Sequence, residues 1–189
     1  MKISHTTPSV SGNGLLRSLF MSLALMAAFA FNPLMAQEPI TFTLKGNGAP
    51  TLHVKETKNG VEFEEYKGKV VLLNFFGKHC KWCMKEIPHL VDLQKRYGKE
   101  FQVVAIHAQE PMTLGERSRL EKRFHFNYPI YESNKNYDFV SYIGQRAGWT
   151  GGLPFSVIFD KHASAVKIIP GYMDENSLEH IIKVLTKQP

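Results

Sequence analysis

The fold turns on one stretch, Gly68-Lys69-Val70-Val71-Leu72-Leu73-Asn74-Phe75-Phe76-Gly77-Lys78-His79-Cys80-Lys81-Trp82-Cys83-Met84-Lys85-Glu86-Ile87-Pro88. Val70 to Phe76 is an apolar run interrupted only by Asn74. Such a run suits a central strand covered on both faces. Beyond it, Met84, Ile87, Leu90, Val91 and Tyr97 recur at helical spacing, and Gly98 supplies a stop. Cys80 therefore stands where a buried strand ends and a helix begins.

Ahead of this junction, Thr41-Phe42-Thr43-Leu44 and Thr51-Leu52-His53-Val54 alternate with the period of short strands, with Gly46-Asn47-Gly48-Ala49-Pro50 as the turn between them. Asn59-Gly60 is a hairpin signal, followed by Val61-Glu62-Phe63-Glu64. Residues 37–67 are expected to form an N-terminal β-hairpin extension and residues 68–189 the main domain. Within the latter, Phe101 to Ile106 reads as a second buried strand. Thr113 with Glu116 makes a capping box for a helix running to about Phe124. Tyr128 to Tyr131 is extended, and Tyr137 to Gly144 is a short helix. Phe155 to Phe159 and Ala165 to Ile169 form an antiparallel hairpin, and Leu178, Ile181, Ile182 and Leu185 line a closing helix. The pattern is an α/β layered domain with a mixed sheet.

The chain has 189 residues, a formal net charge of +6, 43% hydrophobic and 12% aromatic residues. Such a composition excludes disorder, and 14 Gly and 10 Pro exclude a collagen-like chain. Residues 1–36 read separately. Lys2 and Arg17 precede the apolar run Ser18 to Phe31, and Asn32-Pro33 and Leu34-Met35-Ala36 follow. This is the layout of a secretory signal with a cut after Ala36. The apolar run falls short of the ~20 residues that span a bilayer. Leu34 stands where a small residue is preferred, so retention as an N-terminal anchor is the alternative. Removal of the leader takes two basic residues and no acid, and the remaining positive charge is modest. No cluster of Lys or Arg interleaved with aromatics supports nucleic-acid binding.

An exported chain ordinarily spends its cysteines as staples. A staple across a four-residue loop is worth only about 2 kcal/mol, against roughly 4–5 for a long loop. The two cysteines, Cys80 and Cys83, are thus better read as a dithiol that opens and closes, with no further cofactor and no metal. Structural zinc needs four ligands, and the chain has no second cysteine pair. His79 and His89 could complete a set arithmetically.

These residues resemble the thioredoxin superfamily, and more narrowly the exported TlpA/ResA/CcmG-type thiol–disulfide oxidoreductases. The resemblance spans about residues 60–187. It rests on Gly68 to Phe76, on Cys80-x-x-Cys83-x-x-Glu86-x-Pro88, and on Gly152-Leu153-Pro154 opening a late strand. It implies a thioredoxin fold, a central mixed sheet flanked by helices, here with the N-terminal hairpin extension. It implies that Pro154 is cis and packs against the dithiol, and that Leu153 offers its backbone to a substrate strand. The alternative is that Pro154 merely shapes a loop. Pro88 matches the helix-kinking proline of the superfamily. Glu86 matches a glutamate associated with tuning the cysteines and with recognising protein substrates. The alternative for it is a solvated helix glutamate. Asn74 stands where cytoplasmic thioredoxins bury an aspartate, so a buried-base mechanism does not transfer unaltered.

At a helix N-terminus Cys80 faces unpaired N–H groups that stabilise a thiolate, so it is expected to be the attacking thiol. Cys83 is then the buried resolving thiol. Lys81 and protonated His79 would add positive charge, or simply lie exposed. His79 replaces the family's usual tryptophan. The pair Lys81-Trp82 lacks the usual proline or glycine, and Trp82 either faces substrate or packs back onto the fold.

The expected activity is reduction of disulfides in partner proteins in a bacterial periplasm or similar extracytoplasmic space. Electrons would come from a membrane thiol transporter of the DsbD/CcdA kind, and apocytochrome c is the substrate that analogy suggests. The alternatives are a disulfide oxidase or isomerase on the same fold, and a copper carrier using Cys80, Cys83 and a histidine. Copper carriers of the Sco type use Cys-x-x-x-Cys, one residue longer. A peroxidatic cysteine sits in a Pro-x-x-x-Thr-x-x-Cys context, which neither cysteine here has.

Overall fold

A computed structural model describes residues 38–188 of the chain. The expected leader and its cut after Ala36 lie outside the described residues. The elements run β1 (Thr41–Leu44), β2 (Leu52–Glu56), β3 (Val61–Phe63), β4 (Val70–Phe76), α1 (Lys81–Tyr97), β5 (Phe101–His107), α2 (Leu114–Phe124), β6 (Ile130–Glu132), α3 (Tyr137–Ala147), β7 (Phe155–Phe159), β8 (Ala165–Pro170) and α4 (Glu175–Lys187). Among the described residues no helix is long and apolar enough to cross a membrane.

The five-stranded sheet has the order β6-β5-β4-β7-β8. Strands β4, β5 and β6 are parallel, β7 runs against β4, and β8 runs against β7 and so returns to the direction of β4. All seven residues of β4 and all seven of β5 are buried, including the polar Asn74, Gln102 and His107 set among the apolar residues. The N-terminal strands fold as antiparallel hairpins, β1 on β2 and β2 on β3.

Side chains alternate across β4, and the two faces build two cores. Val70, Leu72 and Phe76 pack with Ile87, Leu90 and Leu93 of α1 and with Leu178, Ile182 and Leu185 of α4. Val71, Leu73 and Phe75 pack on the other face with Phe139 and Ile143 of α3 and with Leu44, Val54 and Phe63 of the N-terminal strands. The N-terminal strands thus cover one face of the sheet. Each fully buried leucine or phenylalanine contributes roughly 1.5–3 kcal/mol.

Asn59-Gly60 turns the second hairpin, but not for the reason its sequence suggests. Gly60 is absent from the glycines with positive φ. A Cβ there would lie 2.6 Å from the Ala163 carbonyl and 2.8 Å from the Ala165 amide. The glycine is needed for close approach: the Ala165 N–H donates to the Asn59 carbonyl at 3.0 Å, and the Thr57 hydroxyl donates to the Ala163 carbonyl at 3.0 Å. The hairpin tip is thereby fastened to the β7–β8 turn.

Candidate active site

Three segments meet at one end of the sheet. The register pairs Phe75 with Phe155 across β4 and β7. Pro154 therefore leaves the sheet beside Phe76, where the dithiol segment begins. On the other side of β4, Phe76 is paired with His107, the last residue of β5. The bond between Leu153 and Pro154 is cis, and Pro154 is buried while Leu153 is half-buried. Beside them lies a cavity of about 290 Å³ lined by Trp149, Thr150, Leu153, Pro154 and Gly171, among others.

Cys80 and Cys83 form a disulfide. Cys80 is the N-cap of α1, and its Sγ accepts from the Cys83 N–H at 3.1 Å. An N-cap position is where a side-chain acceptor satisfies a helix's orphan N–H groups. Here that acceptor is a sulfur, and the same geometry stabilises a thiolate once the bridge opens. Cys80 is half-buried and Cys83 is 1% exposed, so an incoming reagent meets Cys80 first.

Beneath the disulfide sits a buried polar cluster. Glu86 is on the same face of α1 as Cys83, one turn on, and is 3% exposed. Asn74 Nδ2 donates to Glu86 Oε2 at 3.0 Å and to Ser156 Oγ at 3.0 Å. Burial pushes the Glu86 carboxyl up to about 7, against the hydrogen bonds from Asn74 and from the Met173 amide, which hold it lower. Glu86 is thus not a solvated helix glutamate. The nearby Tyr128 hydroxyl is pushed up from its ordinary value by burial first and by Glu86 second.

The Gly77–Cys80 segment is held from the β5 side. The Cys80 N–H donates to the Gly77 carbonyl at 3.1 Å, closing a turn. The His79 N–H donates to Gln109 Oε1 at 3.0 Å, and a Cβ on Gly77 would collide with that glutamine side chain. The Lys78 N–H donates to His107 Nε2 at 3.3 Å, and His107 Nδ1 lies 2.9 Å from Glu132 Oε2. An amide can only donate, so Nε2 carries the lone pair and Nδ1 the proton that bonds Glu132. Lys78 Nζ bonds Glu116 at 2.9 Å and reaches Glu110 at 3.4 Å. The Thr113 amide, then Lys78, holds the Glu116 carboxyl down at about 2. His107 and Glu132 were not singled out from sequence. Their only signal was a histidine ending an apolar run, and the carboxylate opposite it is supplied by strand register.

Of the other expected residues, His79 and Lys81 are exposed, and His79 Nε2 lies 3.2 Å from Glu110. His89 is paired with Glu175 at 2.7 Å. Both histidines that a metal set would recruit are therefore engaged by carboxylates. Among the described residues no group of three or more His, Cys, Asp or Glu is arranged to hold a metal ion. Trp82 is 54% exposed and lies against Tyr172. Pro88 sits exposed inside α1, which runs on through it.

The AhpC/TSA family pattern matches residues 42–168 of this sequence. The chain belongs to the AhpC/TSA family. Within that family its relatives are thiol–disulfide oxidoreductases. It is 29% identical over 126 residues to the thiol–disulfide oxidoreductase ResA of Halalkalibacterium halodurans, covering 66% of this chain and 67% of the relative. It is 29% identical over 136 residues to ResA of Geobacillus kaustophilus, covering 71% and 74%. Among solved structures, a thiol:disulfide interchange protein of the thioredoxin family from Chlorobium tepidum superposes with a TM-score of 0.59 at 22% identity, covering 79% of this chain and 96% of that one. StoA from Bacillus subtilis gives 0.55 at 17%, covering 75% and 96%. The fold is that of thioredoxin, and this member of the AhpC/TSA family is an enzyme, a thiol–disulfide oxidoreductase of the TlpA/ResA/CcmG type.

Proposed function

We propose that this enzyme acts outside the cytoplasm as a reductant of disulfides in partner proteins, with apocytochrome c among its substrates. In this reading residues 1–36 direct export and are removed after Ala36, leaving Gln37 as the mature N-terminus; an uncut leader would instead anchor the protein. Electrons reach the Cys80–Cys83 disulfide from a membrane thiol transporter of the DsbD/CcdA kind. The pair itself is the only redox group required.

In the forward step the Cys80 thiolate attacks one sulfur of the substrate disulfide. That S–S bond breaks, one substrate thiolate leaves, and a mixed disulfide forms. Cys83 then gives up its proton and attacks the Cys80 sulfur, expelling the second substrate thiolate and closing Cys80–Cys83. Two electrons pass to the substrate, and its two thiolates are protonated by the proton Cys83 gave up and by one from solvent, where the Cys80 proton went when that thiol ionised. A carboxyl poised near neutral pH is suited to take the Cys83 proton. Glu86 has that character and lies one turn from Cys83. Leu153, before the buried Pro154, offers main chain beside the reacting pair.

The observation that carries the reductive direction is the buried Glu86. Stabilised thiolates favour the dithiol and make its disulfide a stronger oxidant. A carboxylate beneath Cys83 opposes that, favours the disulfide in this protein, and so makes its dithiol a better donor. The test is the reduction potential of the purified pair against a glutathione or dithiothreitol series. A value near or below about −270 mV fits the proposal. A value towards about −120 mV overturns it in favour of an oxidase or isomerase.

A further inference from the structure

Trp82 lies between the two cysteines in sequence, yet more than half of its surface is open. Its ring is fixed. Tyr172 lies against it with centroids 5.4 Å apart, and Lys85 Nζ stands 4.7 Å from the Tyr172 centroid and 5.3 Å from that of Trp82. Tyr172 is held in turn by its neighbours. The Gly171 N–H donates to the Pro154 carbonyl at 2.9 Å, and the Met173 amide bonds Glu86. One three-residue segment thus connects the proline loop, the buried carboxyl and the exposed aromatic pair. The result is an aromatic ledge beside the dithiol.

Two lysines border the ledge, and the carboxylate of Asp174, two residues beyond Tyr172, is bonded by Ser177. Among the described residues, Lys81 and Lys85 have no carboxylate partner, while Glu110 and Glu116 are engaged by Lys78 and His79. An ammonium over aromatic faces keeps its charge available to a third group. We propose that Trp82, Tyr172, Lys81 and Lys85 select the substrate: an extended segment of a disulfide-bonded polypeptide with acidic residues flanking its cysteine, an apolar side chain seated on the rings. This rests on the reductase reading above and names its substrate class.

The test uses the reduced full chain and three disulfides. Two are peptides of equal length, each closed by one internal disulfide, one flanked by Asp and Glu and the other by Lys. The third is 2-hydroxyethyl disulfide, which has no flanking residues and serves as the reference rate. Each reduction moves the two electrons of the dithiol onto the added disulfide and leaves Cys80–Cys83 oxidised. The acidic peptide is expected to react at least ten-fold faster than the basic one, relative to the reference. Raising the salt from 0.01 to 1 M shortens screening from about 30 to 3 Å and should shrink that preference. Lys81→Glu with Lys85→Glu should bring it below two-fold, and Tyr172→Ala should lower both peptide rates about five-fold relative to the reference. Equal rates for the two peptides overturn the acidic class, and indifference to Tyr172→Ala overturns the ledge. Failure to reduce any of the three, the reference included, overturns the reductase reading and this inference with it.

Discussion

Two glutamates, Glu86 on α1 and Glu132 on β6, are nearly sealed from water, at 3% and 5% exposure. Their partners differ. Glu86 is met by uncharged donors, the Asn74 amide and the Met173 N–H. Glu132 is met by the imidazole of His107, whose other nitrogen accepts from the Lys78 amide. Neutral donors soften the burial of a carboxylate without removing its cost, so Glu86 remains able to gain and lose a proton near neutral pH. An imidazole wedged between a carboxylate and an amide is a positioning device, because moving it would orphan both. The same residue type is thus buried in two chemically different settings, against neutral amides in one and against an imidazole in the other.

The largest expected effect breaks the second station. His107→Phe keeps a planar ring but leaves the Glu132 carboxyl group buried without its partner. Leaving a buried carboxyl group without its hydrogen-bond partner costs about 3 kcal/mol or more. Urea unfolding should show that loss, and the double variant His107→Phe with Glu132→Leu should recover part of it. A loss under ~1 kcal/mol would mean that the pair does not position the segment.

The first station should show itself through pH. Glu86 has its carboxyl pushed up from 4.5 to about 7 in the folded protein. The folded state therefore binds the proton more tightly than the unfolded chain. Its stability is full below about 4.5, falls as pH rises, and stays lowered above about 7. At ~1.4 kcal/mol per unit, the loss is about 3 kcal/mol. Glu86→Gln should flatten unfolding free energy across this window and make the protein more stable than the wild type at pH 8. It should also remove an inflection near pH 7 from the rate at which the mixed disulfide resolves. If the variant keeps the wild-type slope, Glu86 is not the titrating group.

The contrast between these stations also explains what the sequence could tell. The sheet was legible because β4 and β5 are buried on both faces and carry predominantly apolar runs. Cys80 and Cys83 were legible because their spacing sits at a strand-to-helix junction. Glu86 was legible in a weaker sense. It falls on the inner stripe of α1, between Cys83 and Leu90, but helical spacing alone does not say whether a glutamate there is buried or turned outward. His107 with Glu132, and Trp82 with Tyr172, were not legible as pairs. Each is made by strand register or loop return between residues distant in sequence, and no local pattern encodes that meeting. Asn59-Gly60 was read correctly as a turn, although it is the neighbouring β7–β8 turn that excludes a side chain at Gly60.

The smallest predicted effect tests how far the rigid side extends. Thr113 caps α2, its hydroxyl accepting from the Glu116 N–H at 3.2 Å while its own N–H donates to Glu116 Oε2 at 2.8 Å. Glu116 in turn holds Lys78 at 2.9 Å. Thr113→Ala removes the hydroxyl and should cost about 1 kcal/mol in unfolding free energy, as N-cap replacements do. If the helix start acts only on α2, hydrogen exchange at the Lys78 and His79 amides should be unchanged. If the hold on the dithiol segment runs from Thr113 through Glu116 to Lys78, those amides should exchange faster while the Asn74–Glu86 side keeps its protection. The second outcome would make the β5 side of the site one continuous brace, and the Asn74–Glu86 side independent of it.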